Sequence, residues 1–163
     1  MNKEKLIDIA PDLFNIPEAH INELGLQMDK LVADMNDNMC KRPDINDLVG
    51  QDNLRMMKDN HANHLRFVLS LLENYNKLVL VDTVAWVYRS YRSRGFHMNY
   101  WAAQINTWID LFKKHLSEDA FVSIYPLYKW FSITIPHFSK ISDEELKNVQ
   151  PGLCMHKTTV TND

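Results

Sequence analysis

The stretch from Lys77 to Leu116 constrains the fold more than any other part of the sequence. Its first half, residues 78–94, carries apolar side chains around nearly the whole circumference of a helix, which predicts a central helix enclosed by others. Arginines crowd its last turns, and Gly95 then follows as a typical helix stop. From Trp101 onward, apolar residues again recur at helical spacing. Because the link between the two helices is short, we expect them to pack against each other as a helical hairpin.

The composition favours helices throughout the chain. Four Gly and six Pro in 163 residues are few for an all-β fold with many turns, and this length suits one domain with its own core. We therefore predict an all-α fold, a bundle of six to seven helices. Residues 1–150 are expected to form a single domain that closes at Pro151 and Gly152, and residues 151–163 a flexible C-terminal tail.

Local patterns predict where most of the other helices begin and end. Pro11 limits the first fifteen residues to a helical turn and a loop. The further predicted helices are Pro17 to Asn36, Ile45 to Val49, Asp52 or Asn53 to Tyr75, Ser117 to Pro136 with a kink or 3₁₀ segment at Pro126, and a last short helix with a capping box at Ser142 and Glu145.

One predicted helix has a narrow apolar stripe that allows two interpretations. The stripe consists of Ile21, Leu24, Met28, Leu31 and Met35. Its heptad-like spacing suits packing either on another helix of the same domain or on a second copy of the chain in a dimer. We favour the first interpretation, although the sequence leaves both open.

Charge and cysteine content exclude several classes of protein. A net charge of −3 and a pI of about 6.1 give no basis for the phosphate attraction of nucleic-acid binders. Cys40 and Cys154 are too few and too far apart for a disulfide framework or a redox pair. The sequence contains neither a long apolar run nor a signal peptide, so we expect a cytoplasmic protein without a membrane partner.

His61 and His64 are the strongest candidates for a functional site. They lie three residues apart on one helical face, at positions where apolar residues are expected. Such a pair could bind a metal or a tetrapyrrole, with Asp59 or a residue on a facing helix nearby. The more common alternative is that one histidine is hydrogen-bonded in the core, to Tyr88, Tyr91 or a carbonyl, while the other is partly exposed. Because the H-E-x-x-H motif of zinc hydrolases is absent, no metal site is predicted.

Arginines and aromatic residues offer other kinds of binding site. Four arginines could gather between neighbouring antiparallel helices and attract an anionic ligand or an acidic partner; they are Arg66, Arg89, Arg92 and Arg94. The alternative is surface ion pairing, for example with Asp82 or Glu73. The aromatic residues could line a pocket for a flat hydrophobic ligand, but at this spacing they more often form the core.

Two segments of the sequence resemble a family of regulatory domains. The first is D-N-H-x-x-H-L-R-F-x-x-S-L at Asp59 to Leu71, and the second is T-V-A-W-V-Y-R-S-Y-R-S-R-G-F at Thr83 to Phe96. The pattern resembles the helical input domains that precede cobalamin-binding modules in some bacterial regulators. More distantly, it resembles the globin-like sensory domains of stressosome proteins that bind no haem.

The resemblance covers about half of the chain and implies a globin-like or related bundle, a regulatory role and a homodimer. The positions that match the pattern are Asp59, His64, Trp86, Arg94 and Gly95. The sequence shows no output domain after residue 150, so we expect either a fragment of a larger regulator or a chain that binds something else. Cobalamin binding is not transferred to it, because the groups that hold the corrin belong to that separate module.

These observations lead to three functional hypotheses. The first is a non-enzymatic sensory or regulatory domain that binds a small hydrophobic or anionic ligand, or a regulatory protein, at a site formed by His61, His64, Trp86 and Arg94. The second is a protein that binds haem or another tetrapyrrole through His61 or His64. The third is a metal-dependent enzyme, although the sequence contains no phosphate-binding loop or nucleophile motif, and no catalytic residue is predicted.

Overall fold

Residues 1–149 are described by this computed structural model, and they form seven α-helices without a β-strand. The helices are α1 (Lys3–Asp8), α2 (Glu18–Cys40), α3 (Ile45–Val49), α4 (Leu54–Glu73), α5 (Lys77–Arg92), α6 (Asn99–His115) and α7 (Glu118–Val149). The prediction of an all-α fold with six to seven helices is confirmed for this part of the chain. The predicted domain end at Pro151 and Gly152, the predicted tail and Cys154 lie outside the described residues. Within the described range, no helix has the length and apolar content needed to cross a membrane.

The apolar stripe of α2 is buried within the chain. Leu24, Leu31 and Met35 have no exposed surface, because α4, α6 and α7 pack against this side of α2. The interpretation that the stripe serves its own domain is therefore confirmed. It also follows that the stripe is not available as a dimer surface.

α5 is amphipathic rather than enclosed, so the prediction of a central helix was wrong. Leu80 and Val81 are fully buried, but Leu78 and Trp86 are 51% and 56% exposed. The closest neighbours of α5 are α1 and α7. Apolar residues around the whole helix did not enforce burial, because a domain of this size cannot cover all of its apolar surface.

α5 and α6 meet near their connection and diverge beyond it. Tyr88 of α5 stacks on Trp101 of α6 with ring centroids 4.4 Å apart, and Tyr91 meets the same ring edge-on. Along the rest of their lengths each helix packs more closely on α7 than on the other. The expected hairpin contact is therefore present only at its closed end, and space remains between the two helices.

α7 continues through Pro136, where the sequence predicts a helix end, and through Pro126, where it predicts a kink or a 3₁₀ segment within the helix. Pro126 and Pro136 lie inside one helix, so the predicted helix end, the 3₁₀ segment and the capping box are absent. Ser142 is buried within the helix, and Glu145 instead accepts a hydrogen bond of 2.9 Å from Arg89. Each proline removes one backbone donor, but burial of apolar side chains along α7 offsets that loss.

Both arginines of α5 form ion pairs with carboxylates of α7. Arg89 lies 2.9 Å from Glu145, and Arg92 lies 2.7 Å from Asp143. Surface ion pairing is thus the correct interpretation for these two arginines, although the carboxylates differ from those expected. The pairs connect the last turns of α5 to the end of α7.

The α2 stripe can be tested with two leucines of the same helix. Leu24 has no exposed surface, whereas Leu26 is 86% exposed. We expect Leu24→Ala to lower the free energy of unfolding by about 2–5 kcal/mol, because it leaves a cavity in the core. Leu26→Ala should change it by less than about 0.5 kcal/mol. Urea unfolding followed by circular dichroism measures both, and equal effects would contradict the burial of the stripe.

Candidate functional site

His61 is fully buried, and both of its ring nitrogens have partners. Its Nδ1 lies 2.7 Å from Oδ1 of Asn36 on α2, and its Nε2 lies 3.3 Å from the hydroxyl of Tyr100 on α6. Burial, with a smaller contribution from the neighbouring His64, lowers the pKa of His61 to about 3. The ring is therefore neutral at neutral pH, so one of its two nitrogens carries the proton and the other accepts a hydrogen bond.

His64 lies about one turn further along α4, among aromatic side chains. Its Nε2 is 2.7 Å from the hydroxyl of Tyr128, and its ring stacks on Trp108 with centroids 5.4 Å apart. Burial lowers the pKa of His64 to about 3. No described residue forms a hydrogen bond with its Nδ1, so one nitrogen of this neutral ring has unused capacity.

The interpretation with one histidine in the core and the other partly exposed is confirmed, since His61 is fully buried and His64 is not. The predicted hydrogen-bond partners were wrong. Tyr88 and Tyr91, which the sequence suggested, instead contact Trp101. Asp59, the expected companion of the two histidines, is exposed. In residues 1–149, no group of three or more His, Cys, Asp or Glu side chains is placed to hold a metal ion.

A cavity of about 270 Å³ lies beside His64. It occupies the space between the diverging α5 and α6, and α4 and α7 complete its walls. The lining residues are Asn60, Asn63, His64, Phe67, Thr83, Val84, Trp86, Val87, Tyr88, Tyr91, Trp101, Gln104, Ile105 and Phe131. Most of these side chains are apolar or aromatic, and none carries a charge while His64 is neutral.

The aromatic residues of the sequence divide between this cavity and the core. Trp86, Trp101 and Phe131 line the cavity, as the pocket interpretation required. Trp108 and Tyr128 instead fill the interior and have no exposed surface. Some aromatic residues therefore line a pocket and others form the core, so both interpretations of the sequence apply.

Two buried amides form the polar part of the cavity wall. Asn60 on α4 and Gln104 on α6 are 5% and 2% exposed, and both line the cavity. Nε2 of Gln104 donates to Oδ1 of Asn60 at 2.6 Å, and the Tyr100 hydroxyl donates to the same oxygen at 3.0 Å. Because Tyr100 also contacts His61, this network connects the cavity wall with Asn36 on α2.

The structure brings together only part of the site predicted from the sequence. His64 and Trp86 line the cavity, and His61 lies behind its wall. Since Trp86 is 56% exposed, the cavity reaches the surface beside its ring. Arg94 lies outside, in a shallow depression of about 90 Å³ that also includes Trp86 and Tyr91.

Asn60 and Gln104 were missed by the sequence analysis. A signal was present, because Gln104 interrupts the apolar stripe between Trp101 and Trp108, and Asn60 precedes His61 on the inner face of α4. A polar residue on an otherwise apolar helical face is buried with a partner more often than it is left unpaired. Which residue would be that partner could not be read from the pattern.

Comparison with known proteins adds no family assignment. The chain matches no protein-family model, no curated protein and no solved structure. The resemblance noted in the sequence therefore remains a hypothesis, and the interpretation of the site depends on its geometry.

His61 and His64 should make the protein sensitive to mild acid. Their pKa of about 3 in the folded chain lies below the ordinary value of 6.5, so protonation favours the unfolded state. We expect the free energy of unfolding to be fully maintained above pH 6.5. As the pH falls from 6.5 toward 3, it should decrease by up to about 1.4 kcal/mol per pH unit for each histidine.

Urea unfolding between about pH 7 and about pH 5 measures this decrease before most carboxylates titrate. His64→Gln should reduce the slope of stability against pH by about half, because one of the two imidazoles with a lowered pKa no longer titrates. The matched control is His97→Gln, since His97 is exposed. An unchanged slope in His64→Gln would show that this ring does not resist protonation in the folded protein.

Proposed function

We propose that this protein is a non-enzymatic sensory or regulatory domain that binds a small, largely apolar ligand in the cavity beside His64. The observation that carries the proposal is the cavity itself, which has mainly apolar walls and a few polar groups at defined positions. Binding sites for small molecules typically have this composition. The lowered pKa of His64 supports the same location, because perturbed titratable groups concentrate at functional sites.

The volume of the cavity suggests the size of the ligand. A cavity of about 150 Å³ can hold benzene, so by simple scaling about 270 Å³ suits a ligand of about eleven non-hydrogen atoms. A tetrapyrrole has about forty non-hydrogen atoms and would need a several times larger space by the same scaling. The geometry therefore favours a small bicyclic ligand over haem.

The groups that line the cavity support binding rather than catalysis. They include no carboxylate, thiol or amine that could act as a nucleophile or a general base. His64 is the only imidazole among them, and its Nε2 is engaged by Tyr128. Burial also raises the pKa of the Tyr128 hydroxyl well above its ordinary value, which keeps this pair neutral.

The sensory role and the globin-like topology in this proposal rest on the resemblance in the sequence. α5 forms one wall of the cavity and carries an exposed face that includes Leu78, Val79 and Trp86. A ligand that fills the cavity would contact α5 on its inner side, and a change in its position would alter that exposed face. This coupling is how we propose that ligand binding reaches a regulatory partner.

Naphthalene is a suitable first probe, because its size matches the cavity and it lacks polar groups. We expect saturable binding of one naphthalene per chain in a fluorescence titration. Val87→Trp should weaken this binding at least about tenfold, since the larger side chain fills space that Val87 now lines. Val122→Trp is the matched control, because Val122 is 62% exposed on α7 and does not line the cavity.

Failure of the unmodified protein to bind any uncharged bicyclic probe of this size, naphthalene included, would contradict the proposed function. Equal binding by Val87→Trp and Val122→Trp would show that the probe binds elsewhere. Unfolding curves of both variants establish whether the fold is intact before the affinities are compared.

The proposed homodimer has a separate test. Light scattering during gel filtration should give about twice the chain mass of 19.2 kDa. The dimer contact cannot use the buried stripe of α2. If a dimer is found, Leu26→Ala tests whether the exposed face of that helix forms the contact. A mass of one chain at every concentration would exclude the dimer and leave the cavity proposal unaffected.

A further inference from the structure

The amide pair in the cavity wall has hydrogen-bonding capacity that the described residues do not use. Oδ1 of Asn60 accepts from Gln104 Nε2 and from the Tyr100 hydroxyl, and Gln104 Nε2 also lies 3.3 Å from that hydroxyl. The remaining polar atoms are Nδ2 of Asn60 and Oε1 of Gln104, and no described residue forms a hydrogen bond with either. One donor group and one acceptor atom are therefore free.

These two free atoms reach open space. Some polar atoms, such as Nε1 of Trp101 and of Trp108, have neither a hydrogen-bond partner nor accessible surface. The two free amide atoms are not among them, so each has accessible surface. Asn60 and Gln104 are almost wholly shielded from the outer surface, and both line the cavity. The space that their free atoms reach is therefore the cavity.

The network behind the amides holds them in position. The 2.6 Å hydrogen bond between them joins α4 to α6, and Tyr100 holds the Asn60 oxygen from a second direction. Because the side chains are fixed in this way, a ligand would lose little free energy in ordering them. The free donor and the free acceptor therefore belong to two side chains that a hydrogen bond joins directly.

We infer that the cavity selects a neutral ligand in which a hydrogen-bond donor is adjacent to an acceptor, as in a lactam or another amide. This inference rests on the proposed function and specifies the ligand class. The acceptor of the ligand would take a hydrogen bond from Asn60 Nδ2, and its donor would give one to Gln104 Oε1. A charged ligand is disfavoured because no lining side chain could neutralise it after it left water.

The isomers 2-quinolone and 4-quinolone test the inference with the same atoms in two arrangements. In 2-quinolone the N–H and C=O groups are adjacent, whereas in 4-quinolone they lie on opposite sides of the ring. Each is similar in size to naphthalene. We expect 2-quinolone to bind at least about tenfold more tightly, because it can form both hydrogen bonds at once. Isothermal titration calorimetry measures both affinities.

Gln104→Met tests whether the acceptor on α6 causes this preference. The substitution keeps a similar length and shape but removes Oε1, so the two isomers should then bind within about threefold of each other. Asn106→Met is the matched control on α6, because Asn106 is exposed and does not line the cavity. It should retain the full preference for 2-quinolone.

A second measurement avoids the risk that Gln104→Met disturbs the buried network. In the unmodified protein, the side-chain amide signal of Asn60 in a nitrogen–proton NMR spectrum should shift more with saturating 2-quinolone than with saturating 4-quinolone. The Asn106 amide signal serves as the internal reference and should not move with either isomer.

The possible outcomes separate the two proposals. If naphthalene and both quinolones fail to bind, the proposed function is wrong. If naphthalene binds and the isomers bind equally to the unmodified protein, the cavity is a binding site but the inference about the amide pair is wrong. The inference about the amide pair is also wrong if folded Gln104→Met still prefers 2-quinolone and the Asn60 signal of the unmodified protein does not shift.

Discussion

The polar face that α4 turns toward the core is the constraint on which the rest of the structure depends. His61 can be buried only if its two nitrogens have partners, since an unpaired buried polar group costs about 1–3 kcal/mol. Asn36 on α2 and Tyr100 on α6 supply those partners. Tyr128 on α7 does the same for one nitrogen of His64. Three helices are thereby positioned against α4 by hydrogen bonds as well as by apolar packing.

α5 does not take part in this hydrogen-bond network. No side-chain hydrogen bond in residues 1–149 joins α5 to α4 or α6, and its ion pairs through Arg89 and Arg92 lead to α7. At one end the stack of Tyr88 on Trp101 holds α5 against α6. The cavity lies where this attachment ends. Its uncharged walls agree with the neutral state of His64, because burial that disfavours an imidazolium would equally disfavour a charged ligand.

Periodicity predicted the helices well, because the 3.6-residue repeat of apolar side chains is a local property. It also placed the α2 stripe in the core and His61 and His64 on one inner face of α4. The same reasoning failed for the end of the last helix, because α7 continues past Pro136. A local breaker signal was overridden there by packing with distant parts of the chain, which a pattern along the sequence does not describe.

The sequence by itself determined that this chain forms amphipathic helices, and that α4 presents imidazoles where apolar residues are expected. Both facts follow from residue type and helical spacing. Only the tertiary structure decided that α5 is half exposed, that His64 borders open space while His61 does not, and that Asn60 meets Gln104 beside it. These features depend on how far apart whole helices lie, and that distance results from the summed packing and hydrogen bonding of residues remote from one another in the chain.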